Sequence, residues 1–153
     1  MLGPRGQGFF ETSNGKDAFL VTRLRKEDMV ASMIAGSVVK RIFATDKRIR
    51  FCAVVDANGR IEAGGMRPGF KSLEPDEETE RIVTRMFLNQ AMNQATNPYL
   101  GRAIWSIVRR ERLVQITFPL AEERQLQITA TLEYPISKVN KLGQFVERLG
   151  VTG

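Results

Sequence analysis

The chain of 153 residues contains no histidine and a single cysteine, Cys52. Without imidazole, a Ser-His or Cys-His catalytic pair and a histidine-bound metal are excluded, together with the commonest proton carrier at neutral pH. One thiol also excludes an internal disulfide and a zinc site built from cysteines. Because Cys52 lies in an apolar run, we expect a small buried side chain there; the alternative is a reactive thiol near basic residues.

Long apolar runs are missing as well. The longest weakly polar stretch, residues 29–39, has 11 residues, whereas a membrane span needs about 20. The first fifteen residues lack the basic start and the apolar core of a signal peptide, so we expect a cytoplasmic protein. The apolar fraction of 42% and the charged fraction of 26% are typical of a globular protein.

Motifs for catalysis or cofactor binding are also scarce. Carboxylates are dense in residues 76–80, but acids at a helix start favour the positive end of the helix dipole. The glycine-rich segment 64–72 lacks the spacings of dinucleotide-binding and P-loop motifs. Arg67 and Lys71 in that segment either cradle an anion before a helix or belong to a plain connecting loop. We therefore predict no catalytic residue, no cofactor and no metal site.

Positive charge is concentrated in the first part of the chain, although the net charge is only +6. Such a cluster fits phosphates, a nucleic acid or an acidic protein surface. The alternative is that these residues complement the negative C-terminal end of a helix dipole. The cluster consists of Lys40, Arg41, Lys47, Arg48 and Arg50.

Apolar periodicity and turn residues predict the order of elements α-β-β-α-β-β-β-α. In the first helix Val30, Ile34, Val38 and Ile42 recur every four positions. The segment Asp56-Ala57-Asn58-Gly59 predicts a tight reversal between two strands. Along the last strand Leu126, Ile128, Ala130 and Leu132 alternate with Gln125, Gln127, Thr129 and Thr131, which predicts one buried face and one polar face. The predicted helices are 26–45, 75–96 and one from residue 135; the predicted strands are 48–55, 60–65, 102–109, 112–119 and 124–132.

These elements predict an α+β fold with a five-stranded antiparallel sheet, formed by residues 26–153, after an N-terminal arm of residues 1–25. In this order of elements, and in the strand, Asp-x-Asn-Gly turn and strand of residues 53–61, the chain resembles the roadblock/LC7 family of profilin-like architecture. It is also similar to an uncharacterised archaeal family, which implies a source but no activity. The long arm and the basic cluster depart from the roadblock pattern.

The resemblance implies a non-catalytic module that forms a homodimer through its central helix and the strand after it. It further implies a partner such as a small GTPase or a signalling complex. Carried onto this sequence, the dimer surface comprises Arg81, Met86, Gln90, Arg102, Ile104 and Ser106.

Two other functions stay open at the level of sequence. The first is a PAS-like sensor with a small ligand between sheet and helix. The second is a nucleic-acid-binding accessory protein that uses the basic cluster, with Phe51 and Trp105 stacking on bases. Strand alternation instead places both aromatic rings in the core.

Overall fold

The computed structural model describes residues 15–152, with side chains described from residue 26 onward except at position 28. The chain divides into two compact units, Met1–Ile34 and Ala35–Gly153. The helices are α1 (Gly15–Thr45), α2 (Asp76–Gln94), α3 (Asn97–Leu100) and α4 (Val139–Arg148). The strands are β1 (Ile49–Val55), β2 (Ile61–Met66), β3 (Ser106–Arg109), β4 (Val114–Pro119) and β5 (Gln125–Ala130).

Helix α1 is longer than the sequence pattern predicts. It begins at Gly15 rather than near residue 26, and residues 16–45 contain no proline that would interrupt it. The first fourteen residues of the predicted arm lie outside the described residues. The predicted apolar stripe is only half correct: Val38 and Ile42 are buried, whereas Val30 and Ile34 are exposed.

The structure confirms the tight reversal that was predicted between the first two strands. The Asp56 carboxylate accepts hydrogen bonds from the backbone N–H groups of Asn58 and Arg60, at 2.9 and 3.1 Å. Gly59 closes the turn with a φ of 81°, a conformation that glycine adopts without steric cost. The register of β1 and β2 shifts near Val55, which leaves Glu62 as the extra residue of a bulge.

All five strands form one antiparallel sheet with the order β2-β1-β5-β4-β3. The predicted fold class and order of elements are therefore confirmed, with the four-residue helix α3 added before β3. Strand β3 is four residues shorter than predicted at its start. Ser106 pairs with Thr117, so Ile104 would lie opposite Pro119, which has no N–H to continue the ladder.

One face of the sheet carries the main apolar core. Cys52, Val54, Ile116, Leu126 and Ile128 point to this face and have at most 2% of their surface exposed. The end of α1 from Ala35 onward and helix α4 cover it. The apolar sides of α4 and of α1 from Ala35 onward thus lie on the sheet.

The opposite face is covered by α2 and is unusually polar. Phe51, Ala53 and Val55 form a small cluster with Val83 of α2. Beside them, the Gln125 and Gln127 amides donate to the backbone oxygens of Phe87 and Val83, both at 3.0 Å. The polar face of β5 is therefore buried rather than solvated, because α2 lies on it.

The described helices include no candidate for a membrane span. In residues 15–152, no helix combines the length and the apolar character that a membrane crossing requires.

Candidate interaction surface

Strand β3 leaves one edge of the sheet open, because within the described chain it pairs only with β4. An open edge presents backbone N–H and C=O groups that can pair with another strand. Helix α2 lies next to this edge, since the Ser106 hydroxyl donates to the side-chain carbonyl oxygen of Gln90 at 2.7 Å. The edge and the helix together form the surface on which the predicted dimer residues are placed.

The six predicted interface residues divide into two groups. Arg81, Arg102 and Ile104 are exposed. Met86 and Gln90 are buried against the sheet of their own chain, with 9% and 1% of their surface exposed, and Ser106 is half-buried. The dimer interface stays a prediction. Of the six residues, the three exposed ones have side chains that another copy could contact.

Further apolar side chains of α2, α3 and β3 are exposed, and the sequence pattern did not single them out. Leu88 and Met92 lie one turn apart on α2 with 54% and 71% of their surface exposed, and Val108 lies on β3 with 46% exposed. Tyr99 and Leu100 of α3 are more than 80% exposed. Helical spacing alone could not separate Leu88 and Met92 from core residues, because the buried and exposed sides of α2 both contain apolar residues.

A groove of about 650 Å³ lies between the first half of α2 and the sheet. Its apolar floor includes Phe51, Val83 and Met86, which are all buried. Residues 106–117, which span β3, the β3–β4 turn and β4, contribute much of the opposite wall. The groove is lined entirely by residues of the unit 35–153.

Charged side chains line the groove with a positive excess of five arginines over three glutamates. Arg81 is paired with Glu78 at 3.3 Å, and Glu74 accepts a hydrogen bond from the Thr79 hydroxyl at 3.0 Å. Of these arginines, Arg50 of β1 was predicted in the basic cluster and Arg81 of α2 in the dimer surface. The sequence pattern did not single out Arg85 of α2 or Arg110 and Arg112 of the β3–β4 turn. The signal that could have found the two arginines of the turn is the run Arg109-Arg110-Glu111-Arg112, in which three of four residues are basic.

Two of the basic residues predicted to contact an anion are engaged within their own chain. The Arg50 guanidinium donates to the Lys71 backbone oxygen at 2.6 Å. Arg67 donates to the backbone oxygens of Phe43, Asp46 and Ile49 at 2.6 to 2.8 Å. These two groups hold segments of their own chain together, and an anion would have to compete with those bonds.

The remaining predicted cations are placed differently. Lys40, Arg41, Lys47 and Lys71 are exposed. The Arg48 guanidinium donates hydrogen bonds of 2.9 and 2.7 Å to the Asp46 carboxylate and one of 3.0 Å to the Glu133 backbone oxygen. Contact of this set with an anion or a nucleic acid stays a prediction that rests on the four exposed residues.

Asp46 joins the end of α1 to the loop before α4. Its carboxylate also accepts bonds from the Arg48 backbone N–H at 2.8 Å and from the Lys138 ammonium at 3.2 Å. The hydrogen bond from Arg48 holds the pKa of Asp46 well below its usual range, against a smaller opposing effect of desolvation. A lowered folded-state pKa means that the ionised carboxylate stabilises the fold above about pH 4, and that this contribution is lost as the pH falls below that value.

We expect Asp46→Asn to lower the free energy of unfolding by about 1 kcal/mol at pH 7, a value reduced from that of a fully buried charged hydrogen bond because solvent screens the pair. The difference between variant and parent should shrink as the pH falls from 4 toward 2. Urea unfolding at pH 7, 5 and 3 measures it, with the exposed Glu147→Gln as control. A difference that stays constant across this range would contradict the role of the charge.

Cys52 is fully buried, and desolvation raises the pKa of its thiol. A raised pKa keeps the thiol protonated at neutral pH, so the predicted role as a small apolar side chain is supported over that of a nucleophile. In the described part of the chain, no group of three Cys, Asp or Glu side chains converges in a way that could hold a metal ion.

Comparisons with known proteins give structural similarity only. No protein-family model matches the chain, and no curated protein sequence matches it. Among solved structures, the gliding protein MglB from Thermus thermophilus superposes with a TM-score of 0.60 at 20% identity, covering 76% of this chain and 83% of that one. An MglB structure with a tetrameric arrangement gives a TM-score of 0.59 at 21% identity, covering 75% and 81%.

A third similar structure is the Roadblock/LC7 domain from Streptomyces avermitilis, with a TM-score of 0.56 at 10% identity, covering 74% of this chain and 89% of the domain. The sheet order and the helices on its two faces agree with the expectation drawn from the sequence. The chain has a roadblock/LC7-like fold.

Proposed function

We propose that this protein is a non-catalytic interaction module that forms a homodimer through β3 and the exposed side of α2, and that the dimer binds a small GTPase or another signalling protein. The observation that carries the proposal is the open edge of β3 with exposed apolar side chains beside it. Pairing two copies would satisfy the backbone groups of the edge and bury those side chains.

The charges at this surface also suit a two-fold contact. In such an interface one surface meets a copy of itself, so it must carry groups of both signs to avoid repulsion. Strand β3 and the turn after it supply both Arg109 and Glu111, and neither has an ion-pair partner within the described chain. The tetrameric arrangement of one similar MglB structure supports self-association as a property that this fold can have.

The class of partner rests on the likeness of the fold. Roadblock resemblance implies GTPase-linked or signalling complexes, and two of the similar structures are of MglB, one of them named a gliding protein. The absence of histidine agrees with a module that recognises rather than catalyses.

Sedimentation velocity tests the dimer. At about 50 µM, where an interface of ordinary size is occupied, we expect a species of twice the 17.2 kDa chain mass. Leu88→Asp combined with Ile104→Asp places charges on the exposed apolar surface and should give a monomer with unchanged circular dichroism. The matched control is Ile136→Asp, because Ile136 is similarly exposed at 52% but lies before α4.

A monomeric parent chain at this concentration would refute the proposed dimer. Equal disruption by the double variant and by the Ile136 control would show that added charge, not loss of this surface, is responsible.

A small-ligand sensor is the second candidate, and the groove is the observation that favours it. Its volume of about 650 Å³ falls in the range of about 300–1,000 Å³ that is typical of ligand sites. A small molecule that stays bound through purification, detected by native mass spectrometry, would support this candidate.

A further inference from the structure

The groove beside α2 combines an apolar floor with a cationic rim, and the edge pairing of β3 does not use this combination. Phe51, Val83 and Met86 form part of the floor and are less than 10% exposed as whole residues. Ile82 and Leu113 extend the apolar lining. An apolar side chain that enters the groove would therefore leave water for a hydrocarbon surface.

Two arginines on the rim are available for a ligand. The side chains of Arg85 of α2 and Arg112 of the β3–β4 turn are exposed, and neither side chain makes a hydrogen bond or an ion pair with another described residue. They stand on opposite walls of the groove, one on the helix and one on the turn. A guanidinium group binds a carboxylate through two parallel N–H donors, so this pair favours a ligand with more than one carboxylate.

A buried amide on the wall points to the same ligand chemistry. Gln115 is only 7% exposed and lines the groove. Its carbonyl oxygen accepts from the Arg110 guanidinium at 3.0 Å, but among the described residues its amide N–H has only the Met86 sulfur as acceptor, at 3.5 Å. A thioether is a weak acceptor, so a ligand oxygen in the groove would give this buried donor a better partner.

We propose that the groove binds an acidic segment of a partner protein, with apolar side chains on the floor and carboxylates on Arg85 and Arg112. The segment would be short and would carry apolar and acidic residues close together, because floor and rim are adjacent. This inference rests on the proposed function as an interaction module, whose partner it describes chemically, but it does not require the dimer.

Fluorescence anisotropy with labelled eight-residue peptides tests the inference on the full chain. The acidic probe alternates Leu and Phe with Asp and Glu; the neutral probe replaces the acids by Asn and Gln, and the basic probe replaces them by Lys. We expect the acidic probe to bind about tenfold more tightly than the neutral one, and its affinity to fall with added salt. The basic probe should bind most weakly.

Paired variants locate the binding site. Arg85→Glu with Arg112→Glu should weaken the acidic probe about tenfold or more, since two attractive contacts become repulsive. Arg60→Glu with Lys141→Glu makes the same change of charge at exposed positions that do not line the groove, and should leave the affinity within about twofold. Gln115→Met removes the amide donor at similar volume and should weaken binding of the acidic probe a few-fold. This single variant tests the location of the site if the Arg85/Arg112 double variant does not fold.

Equal affinity for the acidic and neutral probes would overturn the inference, as would the absence of binding at about 1 mM or an equal response to both double variants. Sedimentation of the same samples separates the two proposals. A monomer that binds the acidic probe refutes the dimer alone, whereas a dimer that does not bind it refutes only the acidic site.

Discussion

Gly64→Ala should unfold or severely destabilise the protein, with a loss of about 3 kcal/mol or more in the free energy of unfolding. Gly64 lies in β2 opposite Ala53 of β1. A Cβ atom added there would be 2.1 Å from the Cys52 backbone oxygen and 2.8 Å from the Ala53 Cα. Both atoms belong to the backbone of a central buried strand, so neither can move without disturbing β1 and its other partner, β5.

The conformation of Gly64 adds to this steric cost. Its φ is 104°, in a region that residues with a Cβ rarely adopt. Gly69→Ala is the matched control, since Gly69 has a φ of 88° but no atom within 4 Å of an added Cβ. We expect the control to cost about 1 kcal/mol, the conformational part alone. Urea unfolding of both variants gives the difference, and equal losses would show that the contact with β1 is unimportant.

Replacing Arg67 should produce the second large effect. Its guanidinium donates to the backbone oxygens of Ile49, Phe43 and Asp46 at 2.7, 2.8 and 2.6 Å, and lies 4.8 Å from the centre of the Phe43 ring. Two of these oxygens are at or just beyond the end of α1, where helical carbonyls lack intrahelical partners. Arg67 therefore joins the end of α1, the start of β1 and the end of β2.

We expect Arg67→Met to lower the free energy of unfolding by about 3 kcal/mol, because three partly buried acceptors lose their charged donor while the apolar stem is kept. Arg67→Lys should recover only part of this loss, since an ammonium group cannot match the fork of a guanidinium. Lys71→Met, at an exposed side chain in the same loop, should change stability by less than about 0.5 kcal/mol. Thermal unfolding measures all three.

These variants also decide between the two interpretations that the sequence left open for this loop. Weaker phosphate binding with unchanged stability in Arg67→Met would favour an anion site. Lower stability with no effect of phosphate on either protein would establish the structural role.

Local signals in the sequence were sufficient for most elements. The Asp56–Gly59 turn and the flanking alternation predicted the first hairpin, because a tight reversal depends on the conformational freedom of its own four residues. The start of α2 after Pro75 was predicted equally well from its acidic first turn. Strand β3 was predicted too long, since the limit set by Pro119 acts across the sheet rather than along the chain.

The proposed interaction surface could be predicted less well from the sequence. Met86 and Gln90 share the helix of the predicted interface, but only the packing of α2 on β4 and β3 buries them. In the same way, the strand pattern predicted a polar face that includes Gln125 and Gln127. This face is not solvated, because α2 covers it and supplies the hydrogen-bond acceptors. Alternation gives the side of the strand on which a residue lies; it does not show whether another element covers that side.

By itself the sequence determined the order of the elements, the first reversal, and the exclusion of imidazole chemistry and disulfides, because each depends on residue types or on contacts a few positions apart. Only the tertiary structure decided that Arg67 binds carbonyls 18 to 24 residues away, that Gly64 touches a neighbouring strand, and that arginines from α2 and the β3–β4 turn line one groove. Such contacts join segments that are distant in the chain, and no local pattern encodes which of them meet.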